Sequence, residues 1–257
     1  MTTPSLERML PLYEAKMIHH YDHRWATYEP DGSIRNVTLE EKQNPNFVVL
    51  PRYWVRESVV KDRLDGRWDR EWLLGWRRIA RSTDIRTFIP TVVPRAAFGD
   101  SVFLMLPTVD PDAGRALQAI VSSFVFDFVA RQKIGGTNAS FFLIEQLPLP
   151  TLAVLREPVL WTRHMDWAAW LSDRTMDATD RPGRGRARTE LDAACFHLYG
   201  LGREEVAYVM DTFSILRSAD SISHGEYRTK RLILETYDGM AEAIASGTPY
   251  TSPFDEE

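Results

Sequence analysis

The sequence predicts an α+β fold: mixed helix and strand before residue 150, then a small helical module near the C-terminus. Three observations support this. Short β-branched and aromatic runs, bounded by Pro, Gly or Asn, recur up to residue 150. One apolar stripe at helical spacing interrupts them. After residue 190 the pattern is helical almost to the end. Leu147-Pro148-Leu149-Pro150 marks one boundary, because proline neither extends a helix nor donates within a sheet. Arg181-Pro182-Gly183-Arg184-Gly185-Arg186 reads as a flexible basic connector. The organisation predicted is a domain over 1–150, a linking segment over 151–189 and a helical tail over 190–257.

In chain order, Phe47-Val48-Val49-Leu50 and Tyr53-Trp54-Val55 read as short strands around a proline. Thr87 to Val93, Val102 to Leu106 and Ser140 to Ile144 are further β-rich runs. Between them Leu117, Ile120, Val121, Phe124, Val125 and Phe128 form one core-facing helical stripe that starts after Pro111-Asp112. Arg131-Gln132-Lys133 closes it, where cations suit the helix dipole. In the tail, helices are predicted over Glu190 to Tyr199, with Gly200 as the stop, Arg203 to Phe213, and Glu226 to Ala245. Helix–Gly–helix spacing suggests a helix-turn-helix, but Glu204 and Glu205 open the second helix and phosphates would repel them. A helical packing module is the reading that remains.

Composition narrows the function classes. One cysteine, Cys195, excludes a disulfide scaffold and a cysteine-based zinc finger. The start lacks the charged and apolar regions of a signal peptide, and the most apolar stretch, Ala119 to Ala130, is too short to span a bilayer. A soluble, cytoplasmic protein is expected. Net charge is −5, yet residues 52–95 hold 11 Lys/Arg against 6 Asp/Glu. Several of these alternate in sign, as on a solvated face, whereas Arg77, Arg78, Arg81 and Arg86 are interrupted only by Asp84. Such a patch on an acidic chain suits a focused anionic ligand.

Several segments carry candidate chemistry. His19 and His23 would share a helical face, and with His20 and Asp22 offer metal-ligand chemistry. No third ligand is identifiable, and a polar, partly buried segment or a phosphate contact explains the same residues. Asp31, Glu40 and Lys42 match the PD…ExK pattern of metal-dependent nucleases. The turn-forming Asp31-Gly32-Ser33 and Gln43-Asn44-Pro45-Asn46 instead make the region a loop. No S-adenosylmethionine-binding glycine loop, Asn-Pro-Pro-Tyr element, Walker A loop, nucleophile elbow or HExxH occurs, so catalysis within this chain is not expected. The most distinctive stretch runs from Ala130 to Phe142. There Arg131, Gln132 and Lys133 lead into Gly135-Gly136, then Thr137 and Asn138. Paired glycines let backbone approach a ligand, and these side chains read phosphates or base edges. A helix cap and tight turn would account for the glycines alone.

Leu12-Tyr-Glu-Ala-Lys-Met-Ile-His-His-Tyr-Asp-His-Arg-Trp-Ala-Thr-Tyr28, Leu50-Pro-Arg-Tyr-Trp-Val55, and Arg78-Ile-Ala-Arg-Ser-Thr-Asp with Arg86-Thr87 together resemble a known family. So do Ala130-Arg-Gln-Lys-Ile-Gly-Gly-Thr137, Phe142-Leu-Ile-Glu-Gln-Leu-Pro-Leu-Pro150, Leu198-Tyr-Gly-Leu201 and Gly225-Glu-Tyr-Arg-Thr-Lys-Arg-Leu-Ile-Leu-Glu235. The family is the Eco57I-like adenine-specific DNA methyltransferases of restriction-modification and phage-defence systems, and the likeness is to the region after their catalytic domain. Ala15 stands where that pattern would have glycine. The resemblance implies a TaqI-like target recognition domain with a helical tail, in a chain without the catalytic half. It implies double-stranded DNA as ligand, a catalytic subunit or upstream half as partner, and S-adenosylmethionine on that partner rather than here. Lys16, Arg24 and the Arg77, Arg78, Arg81, Arg86 cluster would hold phosphates. Arg131, Gln132, Lys133, Gly135, Gly136, Thr137 and Asn138 would read bases, with His19 and His23. The alternatives are a protein-interaction subunit bridging a methylase to other defence components, and a cryptic metal-dependent nuclease.

Overall fold

The computed structural model describes residues 7–79, 81, 84–162, 164–180 and 184–252. The fold is α+β, in two compact units: residues 1–79 with 89–107, and residues 80–88 with 108–257. The chain passes between the units at 79–80, 88–89 and 107–108, the last of these upstream of the proline exit at 148–150.

The first unit is mostly β. Strand β1 (Met9–Tyr13) pairs antiparallel with β4 (Trp54–Arg56) and parallel with β7 (Ala97–Phe98). Strands β2 (Ala26–Tyr28) and β3 (Ile34–Asn36) form a hairpin turning at Gly32, whose φ of +83° suits glycine. Strand β5 (Trp72–Arg77) lies between β6 (Pro90–Pro94) and β8 (Val102–Met105), antiparallel to both. A Cβ at Gly75 would sit 2.9 Å from Val102 Cγ1 and 3.2 Å from the Phe103 carbonyl, so this strand position requires glycine. Helices α1 (Leu39–Gln43) and α2 (Glu57–Leu64) cross the connections. One apolar cluster gathers Tyr13, Met17, Ile18, Tyr28, Val49 and Val93, and a second Leu10, Val60, Leu64, Trp68 and Leu73.

Two sequence expectations change here. Residues 47–50 are not a strand: Leu50 N donates to Thr27 Oγ1 at 2.9 Å, so a side chain replaces the ladder partner. The strand expected from Thr87 starts only at Pro90, because the Thr87 and Phe88 N–H groups go to a carboxylate.

The second unit is helical. Asp110 caps α3 (Pro111–Ser122), with Pro111 in the first turn. The expected single stripe is two helices. Ser123, in extended conformation, caps α4 (Phe124–Lys133), and the axis bends by 62°. Asp192 drives the break as well, since its Oδ1 accepts the Phe124 N–H at 2.8 Å. Residues 140–144 are not a strand but a single turn, α5 (Phe141–Ile144), with α6 (Leu152–Leu155) next in the chain.

The segment expected to link residues 151–189 instead carries α7 (Trp167–Asp180) and the start of α8 (Arg184–Leu198). Trp161 makes edge contacts with Trp167 and Trp170, which buries the segment's aromatic content. Arg184, Gly185 and Arg186 of the expected connector are helical, and residues 181–183 lie outside the described residues. The chain continues through α9 (Arg203–Asp211), α10 (Ser214–His224) and α11 (Arg228–Ser246). Gly200, Gly225 and Gly247 stop α8, α10 and α11 with φ near +70°. No single helix among the described residues is long and apolar enough to cross a membrane.

Candidate nucleic-acid interface

The second unit builds its most distinctive surface from α4 and the polar turn at its C-terminal end. Asp127, fully buried on α4, accepts the backbone N–H of Thr87 at 3.0 Å and of Phe88 at 2.8 Å. Arg86 Nε donates to Asp127 Oδ2 at 3.0 Å, its Nη2 donates to the Ser122 carbonyl, and its guanidinium lies 4.0 Å over the Phe124 ring. Arg131 sits one turn beyond Asp127, its Nη2 3.7 Å from Oδ2. That nitrogen donates to the Asp84 and Ile85 carbonyls at 2.9 and 2.8 Å, and the guanidinium stacks 4.1 Å from Phe213. Each arginine side chain is only 11% exposed. Burial pulls the Arg131 pKa below its ordinary value, against the opposing pull of Asp127. Nearby, burial pushes the Asp192 carboxyl up to about 6 despite Arg86.

These contacts revise the expected roles. Arg86 and Arg131 bind their own fold: Arg86 Nε and Nη2 and Arg131 Nη2 donate to a buried carboxylate and to carbonyls. What they do is fasten residues 84–88 to α4.

The helix end is then presented outward. Ile134, 1% exposed, and Ala139, fully buried, are two apolar anchors. Gly135, Gly136, Thr137 and Asn138 are exposed between them, beside exposed Gln132 and Lys133. The side chains of Gln132, Lys133, Thr137 and Asn138 make no hydrogen bond or ion pair with the described residues. Neither glycine has a positive φ, and a Cβ built on either meets nothing within 4 Å. The fold therefore requires glycine at neither position.

The other expected site residues lie in the first unit, apart from exposed Arg81, whose carbonyl accepts Thr87 Oγ1 at 3.3 Å. Arg77 donates through Nε and Nη2 to the Ile18 carbonyl at 2.9 and 2.5 Å, and Arg78 pairs with Asp100. Lys16 is exposed on a 3-10 turn, Ala15–Met17.

The helical face expected for His19 and His23 does not form. His19 and Asp22 exchange backbone hydrogen bonds at 2.7 and 2.9 Å in a tight turn, with Tyr21 at φ +54°. His19 packs on Trp25 with centroids 4.4 Å apart, and His23 is half-buried. Arg24 Nη2 donates to the Lys42 carbonyl at 2.7 Å. Lys42 Nζ donates to Asp22 Oδ2 at 2.7 Å, an ion pair largely removed from solvent. The expected nuclease loop is in part helix α1, capped by Thr38 and Glu41, while Asp31 Oδ1 accepts the Ser33 N–H. No group of three metal-binding side chains occurs among the described residues.

Phe142, assigned to a strand, is 73% exposed on α5. Comparison with protein-family models, curated proteins and solved structures finds no match to this chain.

Proposed function

We propose that the chain is a sequence-specific double-stranded DNA recognition module of an N6-adenine methyltransferase in a restriction-modification or phage-defence system, without catalytic activity of its own. The observation that carries the DNA reading is the open glycine pair. Gly135 and Gly136 are needed neither for backbone conformation nor for packing, and two exposed glycines in a row leave the backbone open to close approach by an outside ligand, which supports the reading. Around them stand Lys133, which has no ion-pair partner among the described residues, and three neutral polar side chains, Gln132, Thr137 and Asn138. Such groups contact phosphate oxygens and base edges. The methyltransferase class rests on the sequence resemblance, with S-adenosylmethionine and catalysis assigned to a partner that flips the adenine.

The test is Gly136→Ala. Thermal unfolding should show an unchanged or slightly raised Tm, because the added methyl group meets no atom of the protein. Anisotropy with a labelled random-sequence duplex should show binding that weakens with salt and weakens again in the variant. Equal DNA binding by both proteins would remove the turn from the interface.

A protein-interaction subunit is the second reading, favoured by α10. None of its residues is buried, and Ile215 and Ile222 are 46% and 87% exposed. Salt-insensitive capture of a methyltransferase catalytic subunit, with no DNA binding, would favour it.

A further inference from the structure

We infer that Tyr199 is a positioning residue for the exposed turn, an inference that rests on the DNA reading above. Its hydroxyl donates to the Pro148 carbonyl at 2.8 Å and so holds the far end of the segment that begins at Gly135. The donor side is rigid. Tyr199 follows α8 directly, where the Leu201 N–H returns to the Phe196 carbonyl at 3.1 Å and the Gly200 N–H to the His197 carbonyl at 2.9 Å. Cys195 and Phe196 are fully buried just before it. The acceptor side has few other restraints. Pro148 and Pro150 carry no N–H, and residues 148–150 make no other hydrogen bond with the described residues. Between the turn and this clamp lies α5, a single turn that buries none of its own residues. One isolated turn of helix has no stability of its own, so its place depends on anchors at its ends. On the near side these are Ile134 and Ala139, and on the far side Leu147 and the Tyr199 hydroxyl. A segment tethered at both ends loses less freedom when a ligand orders it, so the clamp favours binding without touching the ligand.

The experiment is Tyr199→Phe, which keeps the ring and removes the donor. Hydrogen exchange should speed up about fivefold at the Leu143 to Leu147 amides and stay unchanged in α7. Anisotropy with a labelled random-sequence duplex should show affinity reduced about fivefold, with the salt slope unchanged because no phosphate contact is lost. Unchanged exchange at residues 143–147 overturns the clamp. So does faster exchange that extends through α7, which marks the hydroxyl as an ordinary stability contact. Faster local exchange with equal DNA binding by both proteins overturns the positioning role and leaves the DNA reading standing. A reduced salt slope overturns it too, because Tyr199 would then contact the phosphate backbone itself. Wild-type protein that binds no duplex overturns the DNA reading, and the positioning role with it.

Discussion

The carboxylate of Asp127 accepts the backbone N–H of Phe88 at 2.8 Å, joining residues 39 positions apart. The same group also holds Thr87 and Arg86, so one acid organises a loop, a helix and a buried cation. This fastening explains how an exposed turn can start from a fixed helix end.

Asp127→Ala should therefore be among the most destabilising substitutions in the second unit. It strands the Arg86 guanidinium and two backbone N–H groups in the interior, at a cost of about 3–5 kcal/mol. Urea unfolding would measure this. A loss below about 1 kcal/mol, the range of exposed ion pairs, would show that the cage is not structural.

Arg131→Ala should also lower stability. Its removal leaves the Asp84 and Ile85 carbonyls without their donor and opens space over Phe213. Thermal unfolding should show the drop, and any loss of DNA binding should accompany it. A variant with unchanged Tm and altered base preference would return Arg131 to the reading surface.

Asp192 gives a pH signature. Its folded pKa of about 6 lies above the ordinary 3.8, so the folded state keeps a proton that the unfolded chain has released. Its contribution is full below pH 4 and is lost as pH rises through 6, by on the order of 3 kcal/mol. Asp192→Asn keeps an oxygen for the Phe124 N–H but cannot titrate. The variant should gain relative to wild type between pH 4 and 7, in unfolding measured at each pH. A constant difference would contradict the assignment.

On the proposed reading surface the expected effects divide by chemistry. Lys133→Ala should weaken all duplexes alike and reduce the salt slope by about one, as loss of a phosphate contact does. Asn138→Ala should relax discrimination at one base position by about 1–3 kcal/mol. Uniform loss from both substitutions across a series of mismatched sites would refute this division.

Much of the fold was legible in the sequence. The α+β class came from where β-rich and helical periods lie, and Pro111 and Gly200 marked helix ends that the structure keeps. Where tertiary contacts decide, local pattern failed. The stripe from Leu117 to Phe128 has one period, but Ser123 and the distant Asp192 break it into two helices. Segment 151–189 looked like a connector because its helical content is stabilised by tryptophan packing, which sequence spacing does not display. The candidate site divided in the same way. Gly135 to Asn138 read in sequence as a polar turn after a helix end, and all four are exposed. In sequence Arg86 looks like a phosphate ligand and Arg131 like a base reader. Only a buried partner 41 residues from Arg86 shows otherwise.

The most direct measurement is selection of the full chain on a random duplex pool at two salt concentrations, with sequencing of the bound fraction. A DNA recognition module should enrich one short adenine-containing motif, with affinity for it falling as salt rises. Asn138→Ala should degrade that motif at a single position. A pool that emerges unenriched, with no salt-sensitive binding, would contradict sequence recognition by this chain.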